Sequence, residues 1–150
     1  MLDSAASGPS WLANPEVAAT VQQSILKGTY VLKHYRLQAY VVMPNHVHLL
    51  IEPLEPVEKI TRGIKGTTAH QANLILARNR LTFWQDESFD HWIRTPAEAA
   101  KIFRYIESNP VKAGLAKTPP DWSWSSASSS SSVAQALLPV PVNTSKNPTT

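Results

Sequence analysis

Apolar residues recur along this chain with two different periods, and the switches between them mark its elements. Val17, Val21 and Ile25 repeat at helical spacing behind Asn14-Pro15-Glu16. That triplet offers an N-cap, a proline suited to the first helical position and an acid near the positive end of the dipole. Gly28 is expected to end this helix. From Tyr35 the period becomes two: Tyr35, Leu37, Ala39 and Val41 share one strand face, while Arg36 and Gln38 point the other way. Met43-Pro44-Asn45 interrupts the run, and a second strand over 45–52 completes a hairpin. Pro53 and Pro56 close that strand. Residues 57–78 then read as helical, with Val57, Ile60, Ile64 and Ile75 in phase and Gly63 and Gly66 predicting a kink or two segments. The aromatic-rich stretch 83–93 holds a short strand. Thr95, Pro96 and Glu98 then form a capping box ahead of a helix whose core stripe is Ala99, Ile102, Phe103 and Ile106, with Pro110 and Gly114 to end it.

Residues 1–13 show neither period and are expected to be a flexible N-terminal segment, followed by one domain over 14–126. A serine run opens residues 127–150, which are Ser-, Pro- and Thr-rich and expected to be disordered. At 150 residues, 43% apolar and 17% charged, the chain suits a single globular domain. No apolar run approaches bilayer length and no export signal is legible, so no membrane partner is expected. Cysteine is absent, which removes disulfides, thiolate ligands and cysteine nucleophiles and fits a reducing cytoplasm. A net charge of +3 favours a polyanionic partner only weakly.

Candidate chemistry begins with His46 and His48. Strand alternation sends both imidazoles from the same face, with β-carbons roughly 7 Å apart. Two rings so placed can converge on one ion, since metal–nitrogen bonds are about 2.1 Å long. Two unremarkable histidines on a strand would look the same, and H-x-H alone is a weak signal. A histidine-triad hydrolase needs a third alternating histidine, and position 50 is Leu; a metallo-β-lactamase pattern fails at Leu50-Ile51. Tyr105 lies at the edge of the last helix's apolar stripe, with Asn109 one turn later on the same side. An ion on the imidazoles would polarise a phosphate oxygen, Tyr105 would attack phosphorus, and Asn109 would offer a third ligand. A snorkelling aromatic at the core edge is the ordinary reading of Tyr105. Lys59, Arg62 and Lys65 recur at three-residue spacing, and Arg94 and Lys112 add positive charge, as phosphate contacts require. A solvated helix face explains the first three equally well. Trp122 and Trp124 suit core cover better than base stacking, and His91, just before Arg94, is the remaining histidine best placed to approach nucleic acid.

The stretches Ala39-Tyr-Val-Val-Met-Pro-Asn-His-Val-His-Leu-Leu, Phe83-Trp-Gln, Ser88-Phe-Asp, Tyr105-Ile-Glu-Ser-Asn-Pro-Val-Lys-Ala-Gly-Leu and Asp121-Trp-Ser-Trp-Ser-Ser resemble, in order, the REP-associated tyrosine transposases of the HUH single-tyrosine superfamily. The resemblance runs over roughly residues 14 to 126. It implies that His46 and His48 bind the metal with Asn109, and that Tyr105 is the nucleophile forming a 5′-phosphotyrosine link and freeing a 3′-hydroxyl. It implies Mg2+ or Mn2+ where ligand softness alone would suggest zinc. Its substrate would be single-stranded DNA with hairpins, cleaved and rejoined during transposition by a bacterial, cytoplasmic, nucleoid-associated enzyme. A homodimer is left open.

The fold implied is α+β, a ferredoxin-like (RRM-like) antiparallel sheet with helices on one face. Because 1–13 carries no β pattern, the first strand is expected to be missing, leaving an edge of the histidine-bearing strand unpaired. That expectation supports an alternative reading, a non-catalytic hairpin-binding relict of such a transposase.

Overall fold

The computed structural model describes residues 2–4, 9–78, 81–84 and 88–128. Asn14 caps the first helix, α1 (Pro15–Tyr30), by accepting a hydrogen bond from the Glu16 amide at 2.9 Å. The helix runs past Gly28, which does not terminate it as expected. Gly28 serves instead as a point of close approach. A Cβ there would lie 2.3 Å from the Tyr35 hydroxyl, which donates to the Ile25 carbonyl at 2.5 Å. Burial pushes the Tyr35 phenol well above its ordinary pKa, so it stays a neutral donor.

The hairpin comprises β2 (Tyr35–Val42) and β3 (Val47–Pro53). Its register slips at Gln38: Leu37 pairs with Ile51 and Ala39 with Leu50. This bulge overturns the expected shared face of Tyr35, Leu37, Ala39 and Val41. Tyr35 and Leu37 face α1, whereas Ala39 and Val41 face the opposite side. After the hairpin, α2 (Val57–Ile75) is a single continuous helix, and Gly63 and Gly66 divide it nowhere. The expected strand within 83–93 is β4 (Ser88–Asp90).

The last helix, α3 (Pro96–Lys112), starts on Thr95, whose side chain accepts from the Glu98 amide at 3.1 Å. Pro110 lies buried inside its last turn and does not end it. The end is made by Gly114 at φ +74, with Leu115 N–H bonding the Pro110 carbonyl and Gly114 N–H that of Val111.

Contrary to the expectation of a missing first strand, β1 (Leu2–Ser4) precedes α1 within the segment expected to be flexible. Sheet order is β2-β3-β1-β4, every pairing antiparallel, the order of a ferredoxin-like β-α-β-β-α-β core. Three residues with one apolar member carry no legible period, which is why the strand escapes sequence reading. It is short: among the described residues β3 pairs with it only at Leu49 and His48. In the continuing lane lies a cleft of about 300 Å³, with Ile51, Glu52 and Pro53 on one side and His91, Trp92 and Ile93 on the other.

The helices also occupy both sheet faces, not one. α1 and α2 cover the face carrying Tyr40, Val42, Val47 and Leu49. α3 covers the other, where Ile106 packs on Ala39, Val41, Met43 and Leu50. Beyond α3, the Trp122 indole donates to the Val42 carbonyl at 3.0 Å and Ser125 bridges Val41, so this segment lines the outer edge of β2. Trp122 and Trp124 therefore pack as core cover. Of the segment expected to be a disordered tail, Ala127 and Ser128 belong to the fold and Ser128 is buried; 129–150 lie outside the described residues.

Candidate active site

His46 closes the hairpin turn and His48 lies one pleat into β3. The Met43 amide bonds the His46 carbonyl at 2.8 Å, which holds the turn shut immediately before the strand begins. The two imidazoles meet edge to face with centroids 4.8 Å apart, on the sheet side covered by α3. His48 is 2% exposed. Its ring meets that of Tyr105 at 5.5 Å between centroids, again edge to face. The helix phase explains this placement: Ile106, fully buried, plugs α3 into the sheet, and its neighbour Tyr105 is set at the rim, 40% exposed. A phenol so placed touches His48 and still reaches solvent.

Three hydrogen bonds from the segment after α3 tie that helix to the sheet. The Trp122 indole bonds the β2 backbone, and Ser126 donates to Glu107 at 2.9 Å while its amide bonds the Tyr40 carbonyl. The Asn45 side-chain oxygen lies 2.7 Å from His46 Nδ1. Sequence reasoning passed over Asn45, although its position beside a candidate ligand was a usable signal. Asn109 lies half-buried on α3 one turn beyond Tyr105. Among the described residues no three His, Asp or Glu side chains cluster as a metal cage, so an ion here would need oxygens from Asn109, substrate or water beside the imidazoles.

The basic residues divide. Lys112 is the one drawn to the site, its ammonium 5.4 Å from the Tyr105 ring centroid. Lys59, Arg62 and Lys65 sit on α2, which packs against the opposite sheet face, and Lys59 pairs with Glu55 at 3.2 Å. Arg94 lies two residues before the start of α3 and eleven before Tyr105, and its amide donates to Glu98 at 3.0 Å. Glu98 also takes a hydrogen bond from His91; the two contacts, His91 first, hold its carboxyl below the usual range.

The family profile described as "Transposase IS200 like" matches residues 12–109, more than half of the chain. The chain belongs to this family. Within IS200-like transposases it is similar to the REP-associated tyrosine transposase of Escherichia coli (strain K12), at 31% identity over 91 residues. That match covers 59% of this chain and 52% of the relative, so the chain spans about half the length of the curated transposase it matches. Its fold is that of a solved REP-associated tyrosine transposase bound to a REP hairpin, with a TM-score of 0.65 and 24% identity over 92% of this chain and 79% of the other. No helix among the described residues is long and apolar enough to cross a membrane.

Proposed function

We propose that this chain cleaves and rejoins single-stranded DNA at hairpin sequences through a 5′-phosphotyrosine intermediate, with Tyr105 as nucleophile. The observation that carries the reading is the His46–His48–Tyr105 constellation, three rings in serial contact beside a half-exposed phenol. In this reading the Tyr105 oxygen attacks phosphorus and the bond to the 3′ oxygen breaks. Net, the phenolic proton ends on the departing 3′ oxygen, and the 5′ phosphate remains on Tyr105. Rejoining reverses the step, with a 3′-hydroxyl as attacking group. Lys112, over the Tyr105 ring, contacts the phosphate backbone near the reacting centre; Lys59, Arg62, Lys65 and Arg94 serve more distant backbone contacts.

His46, His48 and Asn109 are the residues that would hold a divalent metal, Mg2+ or Mn2+. Their donor chemistry fits one: two adjacent imidazoles, of which His46 is oriented through Nδ1, and an amide oxygen. When bound, the ion supplies positive charge that polarises a phosphate oxygen. The E. coli relative and the solved hairpin complex carry REP association in their names, which supports a REP-like hairpin as substrate and a cytoplasmic, nucleoid-associated setting.

The test is a denaturing gel after incubating the protein with single-stranded hairpin DNA and Mg2+ or Mn2+. A slower-migrating covalent band is expected from wild type and none from Tyr105→Phe, which keeps hairpin binding because only the oxygen is removed. His46→Ala and chelation should depress the wild-type band alike. Binding with no band under any metal would leave the non-catalytic hairpin binder, and an equal band from Tyr105→Phe would assign the nucleophile elsewhere.

A further inference from the structure

We propose that Asn45 is a positioning residue for His46. Its side-chain carbonyl accepts a hydrogen bond from Nδ1–H and thereby assigns the lone pair of the neutral imidazole to Nε2, the nitrogen through which His46 would then bind a metal. The inference rests on the metal role proposed above for His46. The contact is 2.7 Å between Asn45 Oδ1 and His46 Nδ1. A carbonyl oxygen has no proton to give, so the ring nitrogen must be the donor. In a neutral imidazole one nitrogen donates and the other carries the lone pair, so holding the proton on Nδ1 selects one tautomer and one ring orientation. Residues that hold a ligand histidine through its second nitrogen commonly govern metal affinity.

An asparagine in a hairpin turn has an ordinary explanation, since it tolerates positive φ and bonds its own backbone. The first reason is absent here. Among the described residues the only non-glycine positions with positive φ are Lys33 and Ala77, so the backbone at 45 is one that alanine adopts without strain. The turn is moreover closed by backbone, through the Met43 amide and the His46 carbonyl at 2.8 Å. What the turn does not itself demand is a side-chain oxygen beside Nδ1. Asn45 also sits outside the chemistry proposed above, since it is neither nucleophile nor metal ligand.

The experiment uses the full chain and four proteins: wild type, Asn45→Ala, Asn45→Gly and Asn45→Asp. Mn2+ affinity is measured by titration calorimetry, and the His46 tautomer by long-range nitrogen–proton correlation in the metal-free protein. Asn45→Ala and Asn45→Gly should weaken Mn2+ binding about 10- to 100-fold. Both should release His46 from the Nδ1–H tautomer while the thermal melt stays cooperative. Asn45→Asp keeps an acceptor and should restore both signals. Wild-type affinity in the alanine or glycine variant, or an aspartate variant as impaired as alanine, would overturn the assignment. If wild type binds no Mn2+, the metal reading fails by itself, and the tautomer decides Asn45 separately: a wild-type His46 carrying its proton on Nε2 sinks the positioning role.

Discussion

Among the described residues, twelve buried ones close into a single cluster on the face covered by α1 and α2, with Val17, Val21 and Ile25 fully out of solvent; under α3 the corresponding cluster holds five. The larger cluster contains no histidine among the described residues, whereas the smaller one adjoins His48 and ends at the half-exposed Tyr105. One sheet therefore separates two demands that conflict. Close packing supplies stability on one side, at roughly 1.5–3 kcal/mol for each large aliphatic side chain withdrawn from water. The other side stays thin enough for a phenol and two imidazoles to meet substrate at its rim. A site built into the thick face would have to be opened at the expense of the core.

Equivalent truncations on the two faces should test this difference most sharply. Ile25→Ala, in the large cluster, should cost about 4 kcal/mol, because close-packed neighbours leave a cavity they cannot refill. Covalent attachment to hairpin DNA well below the midpoint should be unchanged. Ile106→Ala removes the same atoms beneath α3 and should cost less, about 3 kcal/mol, since fewer neighbours hold the space open. It should nevertheless reduce attachment roughly tenfold or more, because Tyr105 loses the anchor next to it. Denaturant melts paired with the gel measure both quantities. Equal loss of attachment from the two variants would mean that the faces are not separable.

The cleft beside β3 offers a milder perturbation. The register of β1, extrapolated past Met1, would run opposite residues 51–53 on one side and 92–93 on the other, where the cleft lies. Fusing a short alternating strand ahead of Met1, apolar opposite Ile51, should fill that lane. The expected gain in Tm is about 5 °C, the shift that ~1 kcal/mol gives in a domain of this size, with less aggregation. An unchanged melt would show that the cleft is not strand-shaped.

The smallest effect belongs to the cap of α3. Glu98 has its pKa lowered by His91 and by the Arg94 amide, so its contribution is present above the ordinary carboxylate pKa and is lost as pH falls through the lowered one. Glu98→Gln should therefore melt slightly below wild type at neutral pH, and the two curves should converge once the pH has fallen through the lowered pKa of Glu98. A gap that persists in acid would assign the effect to shape and not to charge.

Much of this architecture is legible in the letters, for definite reasons. Asn14 and Thr95 announce helix starts because their side chains do the capping. That His46 and His48 leave one side together, and that Tyr105 sits at the edge of its helix stripe, follows from a strand period and a helix phase, both local; that α3 covers the histidine side is a tertiary fact. What stays illegible is non-local. Nothing in the spacing of Lys59, Arg62 and Lys65 tells which face α2 will cover, and Gly28 reads as a stop until Tyr35 arrives from seven residues on. The division of helices between two faces is likewise tertiary, and the bulge goes unannounced because the apolar alternation across β2 runs through Gln38 without a mark.

That bulge has a consequence for which changes of chain length the hairpin can absorb. Leu37 already lies opposite Ile51 and Ala39 opposite Leu50, so excising Gln38 would turn an irregular ladder into a regular one and leave every buried side chain on its present face. Excising Arg36 or Val41 would instead invert the faces of the residues on one side of the cut, sending Tyr35 or Tyr40 away from its hydrogen-bond partner. Gln38 is thus the one place within β2 where the chain carries a spare residue. A genetic screen of single-codon deletions through the strand should find its survivor there.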